Sequence, residues 1–289
     1  MMSNALALMQ QQIMALVADP AVYLIVGLVV SVVIAIAAGV FSPRSLRSPD
    51  RLAADQQPGN MVLIFLAGLA VWILTPAIYA GYRSAPAATR GEVHISPAEQ
   101  VMLSAVAAVA ALIVLVVGNL AYRRNGLTRL GFDGRRLLAA IPQGIVGIIC
   151  IMPLMAWISI GAVKIWELLH LAHPAKHELL EIFDKTHDVQ VARLLVFTAV
   201  LIAPVYEEML FRGHLQSLLR HLLGRPWAAI VLTSAAFALV HPWWTQPPIF
   251  FLSLCLWYAY ERRGNLWLPV VIHSLFNGIS ILASHYMGR

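Results

Sequence analysis

One stretch without a charged side chain decides the fold: residues 100–121 read QVMLSAVAAVAALIVLVVGNLA. A helix of about 20 consecutive apolar residues is long enough to cross the hydrocarbon core of a bilayer, which is about 30 Å thick. Lipid offers no partners to backbone N–H and C=O groups, so such a segment must satisfy them within its own helix. The stretch therefore predicts a membrane-spanning α-helix.

Seven more apolar runs lie on either side of this one. The eight predicted spans cover residues 21–41, 61–82, 100–121, 139–160, 192–211, 227–245, 247–260 and 266–285, of which the seventh is short. Residues 1–20 are apolar around a run of three glutamines and predict an interfacial helix. We expect an all-α polytopic transmembrane bundle. Residues 21–190 form its N-terminal spans and loops, and residues 191–289 form the motif-bearing core of the same domain.

The composition agrees with a membrane bundle. Hydrophobic residues make up 60% of the 289 residues and charged residues 12%, which is about half the charged share of an ordinary soluble domain. These values exclude a soluble enzyme and a disordered chain. The two cysteines, Cys150 and Cys255, lie inside apolar runs, so they give neither a disulfide framework nor the spacing of zinc ligands.

The net charge of +6 comes from arginines that occupy alternate loops. Loops rich in Lys and Arg face the cytoplasm, which places both termini of an eight-span chain outside. These arginines are Arg44, Arg47, Arg51, Arg123, Arg124, Arg129, Arg135, Arg136, Arg212, Arg220, Arg225, Arg262 and Arg263. Such loop arginines orient a membrane protein and meet anionic lipid, so nucleic acid is not an expected partner. We expect an integral protein of a bacterial inner membrane.

Three segments carry ionisable or amide side chains inside or at the ends of predicted spans. Residues 203–212 read APVYEEMLFR, residues 237–241 read FALVH, and residues 273–277 read HSLFN. Such side chains are costly in a membrane and usually mark a functional site. The candidate site residues are therefore Glu207, Glu208, Arg212, His241, His273 and Asn277.

Helical spacing divides the roles of these residues. Glu208 and Arg212 are four residues apart, so they share a face and can pair. Glu207 points about 100° away from Glu208 and is free to face another partner. Asn277 shares a face with His273, again four residues apart. A proline at position 204 predicts a bend just before the two glutamates.

A free carboxylate, two imidazoles and a carboxamide can together activate a water molecule to attack the carbonyl carbon of an amide bond. The carboxylate acts as general base, and a neighbouring His or Asn stabilises the oxyanion. A second possibility stays open, since Glu207, His241 and His273 could complete a zinc site that keeps one position for water. The sequence lacks the His-Glu-x-x-His pattern of zinc proteases, so it does not itself require a metal.

The three segments resemble the motifs of the CPBP family of CAAX-processing and bacteriocin-processing intramembrane proteases, also called the Abi family. Their patterns are Glu-Glu-x-x-x-Arg at 207–212, Phe-x-x-x-His at 237–241 and His-x-x-x-Asn at 273–277. The stretch YERRGNLWLP at 260–269 also resembles the family's lead into its last motif. The resemblance covers about residues 192–281.

The resemblance implies an eight-helix bundle with a cavity open toward one membrane face. It implies Glu207 as the water-activating base with Glu208 and Arg212 supporting it. It implies His241, His273 and Asn277 as contacts to the oxyanion or to a metal. The family's substrates are membrane proteins or lipidated peptides, but a prenylated substrate does not transfer to this chain with the motifs.

Two other functions remain open. One is a non-catalytic immunity or scaffold protein that keeps the protease frame, and the other is a transporter whose Glu and His side chains relay protons.

Several smaller expectations accompany the motifs. Histidines 170, 173, 177 and 187 predict a solvated loop rather than a metal site. His214 and His221 are expected at the surface, and Phe237 is expected to pack beside the site. For His241 to reach the depth of His273, the sixth span must either tilt or begin later than residue 227, and we expect it to begin nearer Thr233.

Overall fold

A computed structural model describes residues 20–37, 58–84, 95–122, 126–172, 178–186 and 188–287. Within these ranges the fold is all-α and contains no β-strand. The helices are α1 (Pro20–Ala37), α2 (Pro58–Ser84), α3 (Pro97–Tyr122), α4 (Gly126–Arg129), α5 (Gly134–Leu168), α6 (Glu178–Lys185), α7 (Val189–Leu223), α8 (Pro226–Leu239), α9 (Gln246–Arg263) and α10 (Trp267–Met287).

Among the described residues, five helical segments are long and apolar enough to cross a membrane. They are Pro58–Arg83, Pro97–Tyr122, Gly126–Leu168, Val189–Leu223 and Trp267–Tyr286. Their outer faces carry exposed apolar side chains such as Ile113 and Val117, which are 56% and 58% exposed. Helices α1, α8 and α9 lie at the other three predicted spans. The predicted all-α polytopic membrane bundle is confirmed.

Helix α7 passes through the centre of the bundle. Its consecutive residues Met209, Leu210 and Phe211 are each at most 2% exposed, so all sides of the helix are covered at this level. Their cluster includes Ile64 of α2 and Leu115 of α3, together with residues of α8 and α9. A helix surrounded in this way can hold polar side chains away from lipid.

Glycines bring several helices into close contact. A Cβ atom on Gly68 of α2 would lie 2.8 Å from the Leu115 side chain, and one on Gly144 of α5 would lie 2.4 Å from Val271. Only glycine fits such approaches without displacing a neighbour, and small residues of this kind are typical of membrane helix interfaces. These contacts fix α2 against α3 and α5 against α10.

The ends of α7 follow from local sequence. The side chain of Asp188 accepts hydrogen bonds from the backbone N–H groups of Gln190 and Val191 at 2.8 and 3.3 Å, which caps the first turn. Gly224 ends the helix in the left-handed conformation, at a φ of 61°. Pro226 then begins α8 within two residues.

Two expectations about this region are wrong. The sixth span begins at Pro226 rather than near Thr233. Gly224 ends the preceding helix two residues earlier, and proline is favoured in the first turn of a helix. His214 is 1% exposed rather than at the surface. Its Nδ1–H donates to the Met209 carbonyl at 2.8 Å, and its Nε2 lies 3.2 Å from the Asn119 amide nitrogen.

Other sequence expectations fall partly outside the described residues. The interfacial segment at 1–19, the arginines of the first loop, and residues 173–177 and 187 are not among them. His170 and His221 are exposed, as expected.

Candidate active site

The two adjacent glutamates lie where a short α-helical segment of α7 meets the second of two π-helical stretches. The stretches are Thr198–Ile202 and Glu208–Gln216, and a short α-helical segment, Ala203–Glu207, separates them. In the first stretch the N–H of Ala203 donates to the carbonyl of Thr198, five residues back rather than four. Stretches of π-helix are rare and often occur at functional sites. Here the altered register sets the direction in which the glutamates point.

Glu208 forms a buried ion pair with Arg212, and both side chains are fully buried. The Arg212 Nε lies 3.0 Å from the Glu208 Oε2, although the N–H is not aligned for a hydrogen bond. The Arg212 Nη2 donates to the Ser253 hydroxyl at 3.1 Å. The guanidinium carbon lies 4.5 Å from the Phe237 ring centre and 4.7 Å from that of Trp257. Cation–π contacts on two rings therefore hold Arg212.

His273 of α10 lies between the two glutamates. Its Nδ1 is 2.8 Å from the Glu208 Oε1, and its Nε2 is 3.8 Å from the Glu207 Oε2. The carboxylate can only accept, so Nδ1 carries the proton in this bond. Arg212 supplies one positive charge against the two carboxylates.

Glu207 has fewer strong partners than Glu208. Its side chain is 12% exposed, and its Oε1 accepts a hydrogen bond from the Tyr206 hydroxyl at 3.1 Å. Tyr206 in turn contacts Trp72 of α2, with ring centres 5.8 Å apart. The sequence analysis did not single out Tyr206. The signal that could have found it is a hydroxyl next to the acidic pair, at the level of the predicted bend.

His241 lies in the turn after α8. Its ring contacts the Phe237 ring at 4.8 Å between centres, and the Phe237 ring also lies 6.0 Å from His273. The Phe237 carbonyl is 2.8 Å from the His241 Nδ1, so this nitrogen carries a proton and the neutral ring has an unprotonated Nε2. Phe237 is buried beside the site as expected, and both imidazoles meet its ring.

Asn277 lies one turn after His273 and contacts the backbone of α7. Its Nδ2 donates to the Ala199 carbonyl at 2.8 Å, inside the first π-helical stretch. The structure thus brings His273 and Asn277 against the same helix. One contacts a glutamate side chain and the other contacts the main chain.

The predicted metal ligands do not form a metal-binding group here. Among the described residues, no three His, Cys, Asp or Glu side chains are arranged to hold a metal ion. The Nδ1 atoms of both histidines are engaged, by the Phe237 carbonyl and by Glu208. Because only Nδ1 of each ring is engaged, the Nε2 atoms remain the nitrogens that a metal would use, and the zinc site suggested for Glu207, His241 and His273 stays a prediction. The mechanism below assigns no step to a metal.

A second buried polar cluster lies farther along α7. Glu261 of α9 accepts a hydrogen bond from the Gln216 amide at 2.6 Å and forms an ion pair with Arg220. Sequence reasoning placed Glu261 in a family-like stretch but gave it no role, and it did not mention Gln216. The available signal was a glutamate at the end of a predicted span, which requires a partner when buried.

Fold and site together define an integral membrane protein with buried, paired carboxylates at its centre. Residues 189–279 match the family described as Type II CAAX prenyl endopeptidase Rce1-like. This match confirms the resemblance to the CPBP family over α7 to α10. No curated protein and no solved structure matches the chain.

Proposed function

We propose that this chain is an intramembrane endopeptidase in which Glu207 activates water to hydrolyse a peptide bond. One observation carries the proposal: the two adjacent glutamates have different environments. Glu208 is fully buried, paired with Arg212 and hydrogen-bonded to His273, so its oxygens are already engaged. Glu207 faces the other nitrogen of the same imidazole and keeps some exposure. Of the two, Glu207 is the one placed to accept a proton from a reactant.

We place the attacking water to one side of the line that joins Glu207 to His273. Their facing atoms are 3.8 Å apart, too far for a direct hydrogen bond, and a bridging water can bond to both. Glu207 takes a proton from this water while the water oxygen attacks the carbonyl carbon. The proton then passes to the amine nitrogen as the C–N bond breaks. General-base catalysis of this kind contributes about 10²- to 10⁴-fold to the rate.

The developing oxyanion needs a hydrogen-bond donor, and His241 is our candidate. Its Nδ1–H is held by the Phe237 carbonyl, so the ring orientation is fixed. For this role Nε2 must carry a proton in the transition state, since an unprotonated ring nitrogen can only accept a hydrogen bond. A fixed donor of this type stabilises the transition state more than the ground state.

The substrate we propose is a membrane-embedded or lipid-anchored protein. The site lies among helices whose outer faces carry exposed apolar side chains, so a substrate held in the bilayer or at its surface can approach laterally. The loop arginines support placing the chain in a bacterial inner membrane with its basic loops in the cytoplasm.

The test compares the terminal peptides of membranes from cells that express wild type, Glu207→Gln or Glu167→Gln at equal abundance. Glu167 is an exposed glutamate of α5, so its variant matches the chemical change away from the site. We expect new peptide ends with wild type and Glu167→Gln and none with Glu207→Gln.

Two results would count against this proposal. Cleavage that persists in Glu207→Gln would remove Glu207 as the base. Identical peptide ends in all three samples, with the cellular phenotype retained by Glu207→Gln, would favour the non-catalytic immunity or scaffold protein. Loss of cleavage on chelation, with recovery on adding zinc, would show that a metal takes part.

A further inference from the structure

The first π-helical stretch leaves one backbone carbonyl without a donor from its own helix. The N–H of Ala203 would bond to the Ala199 carbonyl in an α-helix, but here it donates to Thr198. In a π-helix, the donor for the Ala199 carbonyl would be the backbone N–H five residues later, at position 204. That residue is proline, which has no N–H. Within a membrane bundle, an unpaired carbonyl costs several kcal/mol.

Asn277 supplies the missing donor from another helix. Its Nδ2 lies 2.8 Å from the Ala199 oxygen. One turn earlier on the same face of α10, His273 binds Glu208 at 2.8 Å. Helix α10 therefore contacts α7 at two points, Ala199 and Glu208. Between these points lie Pro204 and the change from π-helical to α-helical hydrogen bonding, which is called the π-helical offset below.

We propose that Asn277 is a positioning residue that stabilises the π-helical offset and thereby turns Glu207 toward His273. An α-helical ladder through this stretch would rotate the following residues by about 100° relative to the preceding ones. Glu207 would then leave the position 3.8 Å from the His273 Nε2. This role differs from a direct contact with the oxyanion or with a metal, and its effect on cleavage rests on the function proposed above.

Proline at position 204 makes the proposal testable, because alanine there restores an N–H in the right place. The experiment is a double-mutant cycle of Asn277→Ala and Pro204→Ala in the full-length protein in detergent. It measures the midpoint of thermal unfolding and the rate of substrate cleavage. When Pro204 is present, Asn277→Ala leaves the carbonyl unpaired. In the Pro204→Ala variant, the new N–H can bond to the carbonyl instead.

We expect Asn277→Ala to lower the unfolding midpoint by several degrees when Pro204 is present. In the Pro204→Ala variant the same change should lower it by less than a third of that amount. We expect the loss in cleavage rate to shrink in the same way, from at least tenfold to a few-fold. Pro142→Ala is the matched control, since Pro142 lies inside α5. It should leave the effect of Asn277→Ala unchanged.

Equal losses of stability with and without the Pro204→Ala change would overturn the inference, as would an unchanged midpoint in Asn277→Ala alone. If Pro204→Ala reduced the stability loss caused by Asn277→Ala but not its loss of cleavage rate, the positioning role would also be overturned. The unfolding data do not require activity. If wild type cleaves nothing, the unfolding data still decide whether Asn277 supplies the hydrogen bond that the Ala199 carbonyl lacks. Absence of cleavage would count only against the proposed function.

Discussion

Helix α7 carries two buried carboxylate–guanidinium pairs that differ in how completely they are satisfied. In the pair near its C-terminal end, both Glu261 oxygens have their own donor, from Gln216 and from Arg220. This second pair joins α7 directly to α9. It leaves no carboxylate oxygen for a reactant, and its role is structural.

The pair near the middle of α7 has the same residue types and a different surrounding. Glu208 and Arg212 are at least as deeply buried, but the residue before Glu208 is a second glutamate, Glu207, and no guanidinium of the described residues pairs with it. His273 divides its nitrogens between the two glutamates at unequal distances. The comparison teaches that burial alone does not mark a reactive carboxylate. What distinguishes the candidate reactive carboxylate, Glu207, is that it lacks a guanidinium partner and lies next to Glu208, which has one.

The largest expected difference between the two clusters is in catalysis. Glu207→Gln should reduce cleavage by about 10²- to 10⁴-fold, since the general base is lost. Glu261→Gln should leave it within a few-fold, because the change is remote from Glu207. Initial rates with equal amounts of folded protein in micelles check both values. A large loss of rate in Glu261→Gln would break the comparison.

The next effect is on stability at the middle cluster. Glu208→Gln removes the carboxylate that pairs directly with the buried Arg212, which should lower the free energy of unfolding by about 3–5 kcal/mol. Replacing both residues by Met removes the charge problem and should recover most of this loss. Unfolding in mixed micelles with increasing sodium dodecyl sulfate measures both variants. An equally unstable double variant would contradict the electrostatic reason.

A smaller loss of stability is expected at the second cluster. Glu261→Gln keeps an acceptor for Gln216 and removes only the charge opposite Arg220. The Arg220 side chain is 18% exposed and can reach water. The free energy of unfolding should therefore fall by about 1.5–3 kcal/mol, the range for a hydrogen bond to a charged group. A loss as large as that of Glu208→Gln in the same assay would show that both clusters are equally dependent on their charges.

The smallest expected effect is at Tyr206, whose hydroxyl bonds to Glu207. Tyr206→Phe removes one hydrogen bond worth about 1 kcal/mol, which corresponds to a rate loss of about two- to tenfold. The same change at Tyr258, away from the two glutamates, is the control. A loss as large as that of Glu207→Gln would mean that Tyr206 takes part in the reaction itself.

Much of this arrangement could be predicted from local sequence. Spacing alone placed Glu208 and Arg212 on one face and turned Glu207 away from them. The approximate positions of the helices followed from apolar runs, although only five of the eight predicted spans coincide with helical segments of the described residues that are long and apolar enough to cross a membrane. Span boundaries were less accurate. The fifth span was predicted to end at residue 211, but α7 continues to Leu223. The hydropathy pattern assigned Gln216 and Arg220 to a loop, whereas in the structure they lie on the helix and pair with Glu261 of α9.

The rest depended on contacts between distant parts of the chain. The position of His273 between the two glutamates requires α10 to pack against α7, and no local pattern states this. His214 is buried by Asn119, which lies 95 residues earlier. The π-helical offset is a property of backbone hydrogen bonds, and Pro204 indicated only a bend.

The offset in α7 also determines where this chain can change its length. Loops between helices accept insertions and deletions readily, because their backbone faces solvent. Adding or removing one residue between Ala199 and Glu207 would instead turn the acidic pair by about 100° relative to α10. The residue count of this short segment is therefore as much a part of the site as its side chains. A library of single-residue deletions across the chain should show no tolerance there, even at lipid-facing positions such as Leu201.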